Sequence, residues 1–173
     1  MEKICRIYVG GPVGKEIDDG AGLTFRDHST NLAAAAQEIA KRIESLDADC
    51  RVVILDPAAD RLATLKFPSL TLAAEADIGM IDLSVASPSA MYEAAFMHAL
   101  GKPVVPITLS VARVPDGRRL CQYMKDDLAS LVPDFRVETL VEMLLPKVQT
   151  AMAAAQAAPS NPIAQYYGGP LTP

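Results

Sequence analysis

No window of this sequence approaches the roughly eighteen consecutive apolar residues that a membrane span requires. The opening run MEKICRIYVGGPVG is too short in apolar residues to serve as a secretory signal. The chain is therefore expected to act in the cytosol, with no membrane partner. Positive charge is not in excess either: 16 Lys and Arg stand against 21 Asp and Glu, a net charge of -5. That balance removes the electrostatic basis for binding nucleic acid. Cysteine is scarce, and Cys5, Cys50 and Cys121 are odd in number with no CxxC spacing. A disulfide scaffold and a zinc cage are both excluded on that pattern, and the thiols are expected to be reduced. Only two histidines occur, His28 and His98, neither in metal-ligand spacing with acidic partners. No Ser-His-Asp or Cys-His arrangement is readable, so nucleophilic hydrolase chemistry finds no support, and His98 reads as a surface or core residue. Neither a metal nor a bound organic cofactor is expected.

What is present is an alternation of short apolar strands and amphipathic helices. Strands are expected over Ile4–Val9, Arg51–Leu55, Ile78–Leu83 and Pro103–Ile107. A helix beginning at Ser29 or Thr30 carries Leu32, Ala36, Ile39, Ala40 and Ile43 at helical spacing. Short helices are expected over Ser69–Ala76 and Ser89–Leu100, the latter closed by Gly101. Beyond Thr108 the pattern predicts a helix over Asp116–Leu131, a short edge strand at Asp134–Val137, and a long helix from Val137 interrupted by Pro146. This order predicts a single α/β domain over residues 1–158, a flavodoxin-like or Rossmann-like three-layer sandwich with a mainly parallel sheet of about five strands. Residues 159–173 read as a linker-like tail that could lead to a further C-terminal domain.

In such sheets ligands bind outside the carboxyl ends of the strands, where the strand order reverses. That rule selects the loop of Gly10, Gly11 and Pro12, the loop opened by Asp56, and the segment with Ser84, Ser87 and Ser89. The glycine loop is neither a Walker A motif nor GxGxxG, and glycines alone permit a tight turn. The acidic run Lys15–Gly20 reads as a solvated loop. Glu93 is the one carboxylate in the uncharged run around the third helix. A carboxylate near a helix start can simply complement the helix dipole, contributing about 0.3–1 kcal/mol. The same helix start, with its serines and free N–H groups, also suits a phosphate. A phosphate and a carboxylate coexist if a sugar separates them, which suits a nucleotide with its anomeric carbon over Glu93. Asp82 could cap a turn. Tyr8 could fill the core or reach Glu93 from the neighbouring strand.

The stretches RIYVGGP and ADIGMIDLSVASPSAMYEAAFMHALGKPVV resemble the nucleoside 2-deoxyribosyltransferase superfamily, which includes the 2'-deoxynucleoside 5'-monophosphate N-glycosidases. The likeness spans Ile4 to Ile107, and its most specific part is Tyr92-Glu93 with Gly101-Lys102-Pro103 downstream. It implies N-glycosidic bond cleavage on a nucleotide or nucleoside. Glu93 would act at the anomeric carbon, Tyr8 would orient it, and Asp82 would contact the sugar or act as general acid. The glycine loop, Asp56, Tyr92 and the serines would bind substrate. The transferases carry an aspartate six residues before the glutamate; this chain has Ser87, as the monophosphate glycosidases do, which points toward nucleotide hydrolysis. Toll/interleukin-1 receptor-like (TIR) NAD hydrolases share the serine-to-glutamate spacing, but carry a Trp-Cys pair where this chain has Ser89-Ala90. The resemblance further implies a homo-oligomer, since sites in the family are often completed by a neighbouring subunit. A nucleotide-binding sensor without turnover is the remaining expectation.

Overall fold

The computed structural model describes residues 2–12, 22–57, 68–84, 87–109 and 128–157. Five strands, β1 (Lys3–Gly10), β2 (Cys50–Leu55), β3 (Ile78–Asp82), β4 (Val104–Leu109) and β5 (Ser130–Val132), pair in the order β2-β1-β3-β4-β5, all parallel. Four helices, α1 (Phe25–Leu46), α2 (Pro68–Glu75), α3 (Pro88–Ala99) and α4 (Val137–Gln156), cover the sheet. The order reverses between β1 and β3, so the crevice at their carboxyl ends is the switch point where a ligand is expected. This is the expected flavodoxin-like sandwich. None of the described helices is long and apolar enough to cross a membrane.

Side-chain alternation divides the strands between two cores. Cys5, Ile7 and Val9 of β1 and Ile78 and Met80 of β3 join Leu32, Ile39, Leu140 and Leu144 on the α1/α4 face. Tyr8 of β1 and Ile81 of β3 join Leu72, Ala73, Ala90, Ala94 and Met97 on the α2/α3 face. Each fully buried aliphatic side chain contributes about 1.5–3 kcal/mol, so both layers are firmly seated. Close seating of α3 requires small residues: a Cβ at Gly79 would lie 2.6 Å from Met97 Sδ.

Gly101, at φ 72°, ends α3 in a Schellman motif, with its N–H donating to His98 O at 2.9 Å and that of Lys102 to Met97 O at 3.0 Å. Lys102 then reaches back, its Nζ donating to the carbonyls of Ala73, Ala74 and Ala76 at the end of α2. Burial of the ammonium lowers its pKa, partly offset by Asp77. Lys102→Met is expected to cost about 1 kcal/mol, because charge-assisted bonds to otherwise open carbonyls are lost. A thermal melt should show a fall of about 2–4 °C; an unchanged melting temperature would remove this role.

Three boundaries differ from expectation. Helix α1 starts a turn before Ser29: Thr24 caps it by accepting from Asp27 N–H at 3.2 Å, and Asp27 Oδ2 accepts the Thr24 N–H at 2.7 Å. The extra turn buries Phe25 and His28. The edge strand is Ser130–Val132, not Asp134–Val137, and Ser130 and Leu131 belong to it and not to the end of the expected helix. Residues 134–136 instead turn, with Asp134 Oδ1 accepting the Arg136 N–H at 2.9 Å, which directs Phe135 inward. Pro146 lies inside α4 without interrupting it; its exposed position lets water reach the Glu142 carbonyl that the missing Pro146 N–H leaves without a donor. Of the expected helix over Asp116–Leu131, Leu128 and Ala129 are described and are not helical, while residues 116–127, the run Lys15–Gly20, Cys121 and the tail 159–173 lie outside the described residues.

Candidate active site

On α3 the buried positions are Ala90, Glu93, Ala94 and Met97, the i, i+3, i+4, i+7 stripe of a core-facing helix. Glu93 thus holds a core position, one turn nearer the helix start than Met97. It is 8 % exposed, and it lies on the α2/α3 face beside the carboxyl end of β1. Gly10 makes this approach feasible, since a Cβ there would lie 2.7 Å from Tyr8 Cε1 and 2.8 Å from Glu93 Oε2. Tyr8 is fully buried on the same face. Among the described residues, neither Tyr8 Oη nor Glu93 Oε2, both buried, has a hydrogen bond of acceptable geometry. Both atoms lie at the switch point.

Burial raises the Glu93 pKa, and the nearby hydroxyls of Tyr8 and Ser69 offset part of that rise. Burial first, and the Glu93 carboxylate second, push the Tyr8 phenol far above its usual range, so it stays a neutral donor. Ser69, in the first turn of α2, faces both groups, and sequence reading missed it. The available signal was topological: α2 connects β2 to β3, so its start must lie at the carboxyl edge of the sheet. Asp56, half-buried just past β2, is a further electrostatic neighbour of Tyr8.

Asp82 is placed elsewhere. Its carboxylate lies on the α1/α4 face, where Oδ2 sits 3.2 Å from His28 Nδ1 and Oδ1 accepts the Ser84 N–H at 2.8 Å. A Cβ at Gly11 would lie 3.1 Å from Asp82 Cβ, so Gly10 and Gly11 face Glu93 and Asp82 respectively. The glycine pair forms a thin partition between two carboxylates on opposite faces of the sheet. The structure does not bring Asp82 beside Glu93, as a shared role at one sugar would need. His28 is a fully buried core residue, and His98 lies in the last turn of α3, away from Glu93.

The expected substrate-binding residues divide. Ser84 is buried and its Oγ accepts the Leu109 N–H at 3.0 Å, tying β3 to β4. Ser87 is the N-cap residue of α3 but makes no side-chain capping bond; its hydroxyl lies 3.0 Å from that of Ser89. The start of α3 is therefore left uncapped by that side chain, with two hydroxyls beside it. Tyr92 is 63 % exposed and does not join the cluster. Pro12 is buried, ending the described part of the glycine loop. Cys5 and Cys50 are free buried thiols; burial pushes Cys5 up to about 12 and raises Cys50 as well, so both stay protonated and unreactive. Among the described residues no cluster of His, Cys, Asp and Glu is arranged to hold a metal ion. The chain matches no protein-family model and no curated protein sequence.

Proposed function

We propose that this protein cleaves the N-glycosidic bond of a nucleotide or nucleoside, with Glu93 acting at the anomeric carbon. The observation that carries the reading is the pair of buried oxygens, Glu93 Oε2 and Tyr8 Oη, which lack a well-formed hydrogen bond among the described residues at the β1/β3 switch point. An unsatisfied buried polar atom costs about 1–3 kcal/mol, so a site that keeps two of them is set up for a ligand to complete. A carboxylate out of water stabilises the oxocarbenium-like centre that forms as the C1'–N bond breaks and its electron pair leaves with the base. Glu93 does this as an ion partner or through a transient ester, and water then adds at C1'. Tyr8, held neutral, orients the carboxylate or a sugar hydroxyl. Ser87 and Ser89 at the start of α3 suit a 5'-phosphate, with the sugar lying between it and Glu93. The resemblance to deoxyribosyltransferases and monophosphate glycosidases agrees with this arrangement. Assembly into a homo-oligomer belongs to the same proposal.

The test is to incubate the protein with nucleoside monophosphates, nucleosides and NAD, and to detect released base or nicotinamide by chromatography. Base release from a monophosphate supports the proposal; nicotinamide release from NAD moves the substrate to that of the TIR-like enzymes; ligand binding without release replaces the enzyme with a sensor. Because Glu93 must be ionised to act, activity should rise with pH through its raised pKa, with a midpoint above the ordinary ~4.3 of glutamate. Tyr8→Phe should move that midpoint to still higher pH, since the phenol lowers the Glu93 pKa. A midpoint that stays in place in Tyr8→Phe would separate Tyr8 from Glu93.

A further inference from the structure

The mechanism above leaves one buried polar cluster unused. His28 of α1 is fully buried, stacked on Phe135 with ring centroids 3.9 Å apart at 3°, and edge-on to Phe25 at 4.8 Å and 69°. A carboxylate can only accept, so the 3.2 Å contact between His28 Nδ1 and Asp82 Oδ2 places the proton on Nδ1. The other oxygen, Oδ1, accepts the Ser84 N–H at 2.8 Å, and Ser84 Oγ in turn accepts the Leu109 N–H at 3.0 Å. Leu83 N–H donates to Ile107 O at 2.8 Å in the same place. His28, Asp82, Ser84 and Leu109 thus form one chain of bonds across the ends of β3 and β4. Beyond it the backbone leads to Ser87, Ser89 and α3.

We infer that His28 is a positioning residue: through Asp82 it fixes the end of β3 and so the serines and the helix that present Ser87 and Glu93 to the ligand. The two aromatic rings set the imidazole plane, and the plane aims Nδ1 at Asp82. Asp82 carries that order to the backbone of Ser84, the last described residue before the serine segment. The site on the α2/α3 face is thereby held from the α1/α4 face, across the Gly10-Gly11 partition. The kinetic part of the inference rests on the N-glycosidase reading; the structural part does not.

Two readouts test it in the full chain. His28→Phe keeps a ring against Phe135 but removes the nitrogen; His28→Asn puts an amide nitrogen near the position of Nδ1 but loses the stack. Amide hydrogen exchange should show protection at Ser84 and Leu109 falling by about 10-fold or more in His28→Phe, after correction for global stability, and returning in His28→Asn. His28→Leu and His28→Asn both lose the stack, so this pair decides the point if His28→Phe does not fold. In kinetics, kcat/KM for a monophosphate should fall by about 10-fold in His28→Phe, and His28→Asn should recover most of it. Protection that is unchanged in His28→Phe, or equally lost in His28→Leu and His28→Asn, overturns the inference. If the wild type releases no base, the N-glycosidase reading fails alone, and exchange at Ser84 and Leu109 still decides the role of His28.

Discussion

Glu93→Gln should reduce base release by about 10³-fold or more while making the folded protein more stable at neutral pH. The loss follows from removing the one charge that meets the developing positive centre at C1' in a water-poor site, where such groups are worth most. The gain follows from linkage. Burial raises the Glu93 pKa in the folded state, so the proton is held more tightly there than in the unfolded chain. The stability this contributes is complete below the ordinary carboxylate range and is lost as pH rises through the raised folded value. Above that value the buried anion opposes folding, and a neutral amide of the same shape removes that cost, at about 1 kcal/mol. Denaturant melts at several pH values should show the variant ahead at neutral pH and level with the wild type in acid. Equal stability throughout would mean that Glu93 is not strained by burial, and retained base release would end its catalytic role.

Gly10→Ala should be nearly as damaging to activity, by about 10²-fold, although it adds one methyl group. That methyl would lie 2.7 Å from Tyr8 Cε1 and 2.8 Å from Glu93 Oε2, closer than real Cβ contacts come. Tyr8 is fully buried and Glu93 is held by the second turn of α3, so one or both must shift. Overpacking of this kind costs about 1–3 kcal/mol, and a displacement near 1 Å at the reacting atoms is enough for the kinetic loss. Gly11→Ala faces Asp82 instead, at 3.1 Å, and serves as the contrast. Its effect should fall on stability and on the Ser84 end of β3 more than on Glu93. If the two alanine variants lose activity equally with the same pH profile, the partition between the two faces has no functional meaning.

Helical spacing in the sequence already placed Glu93 near the start of the third helix, and the β-rich runs placed four of the five strands within a residue or two. The short β5 was missed because three residues carry too little alternation to register, and the α1 start was missed because the T-x-x-D capping box lay one turn upstream of the apolar periodicity. Ser69 was placed at the start of α2 but not in the site, since nothing in its own neighbours marks it. Its role appears only when α2 packs against β1 and α3.

Composition and periodicity by themselves determined the class of fold, because strands buried on both faces read as short, near-continuous apolar runs and parallel pairing needs crossover helices. They also determined that a single carboxylate sits in an otherwise nearly uncharged helical run. Which face each polar residue meets was decided only by tertiary structure. In fully buried strands both faces are apolar, so alternation cannot say which side is which. The register that sets Gly10 against Ile81 is what sends Tyr8 toward Glu93 and Asp82 toward His28. Asp82 and Glu93, which look like partners in sequence, end on opposite faces: Asp82 follows Ile81 by one step of the pleat and so turns to the α1/α4 face, while α3 brings Glu93 to the other.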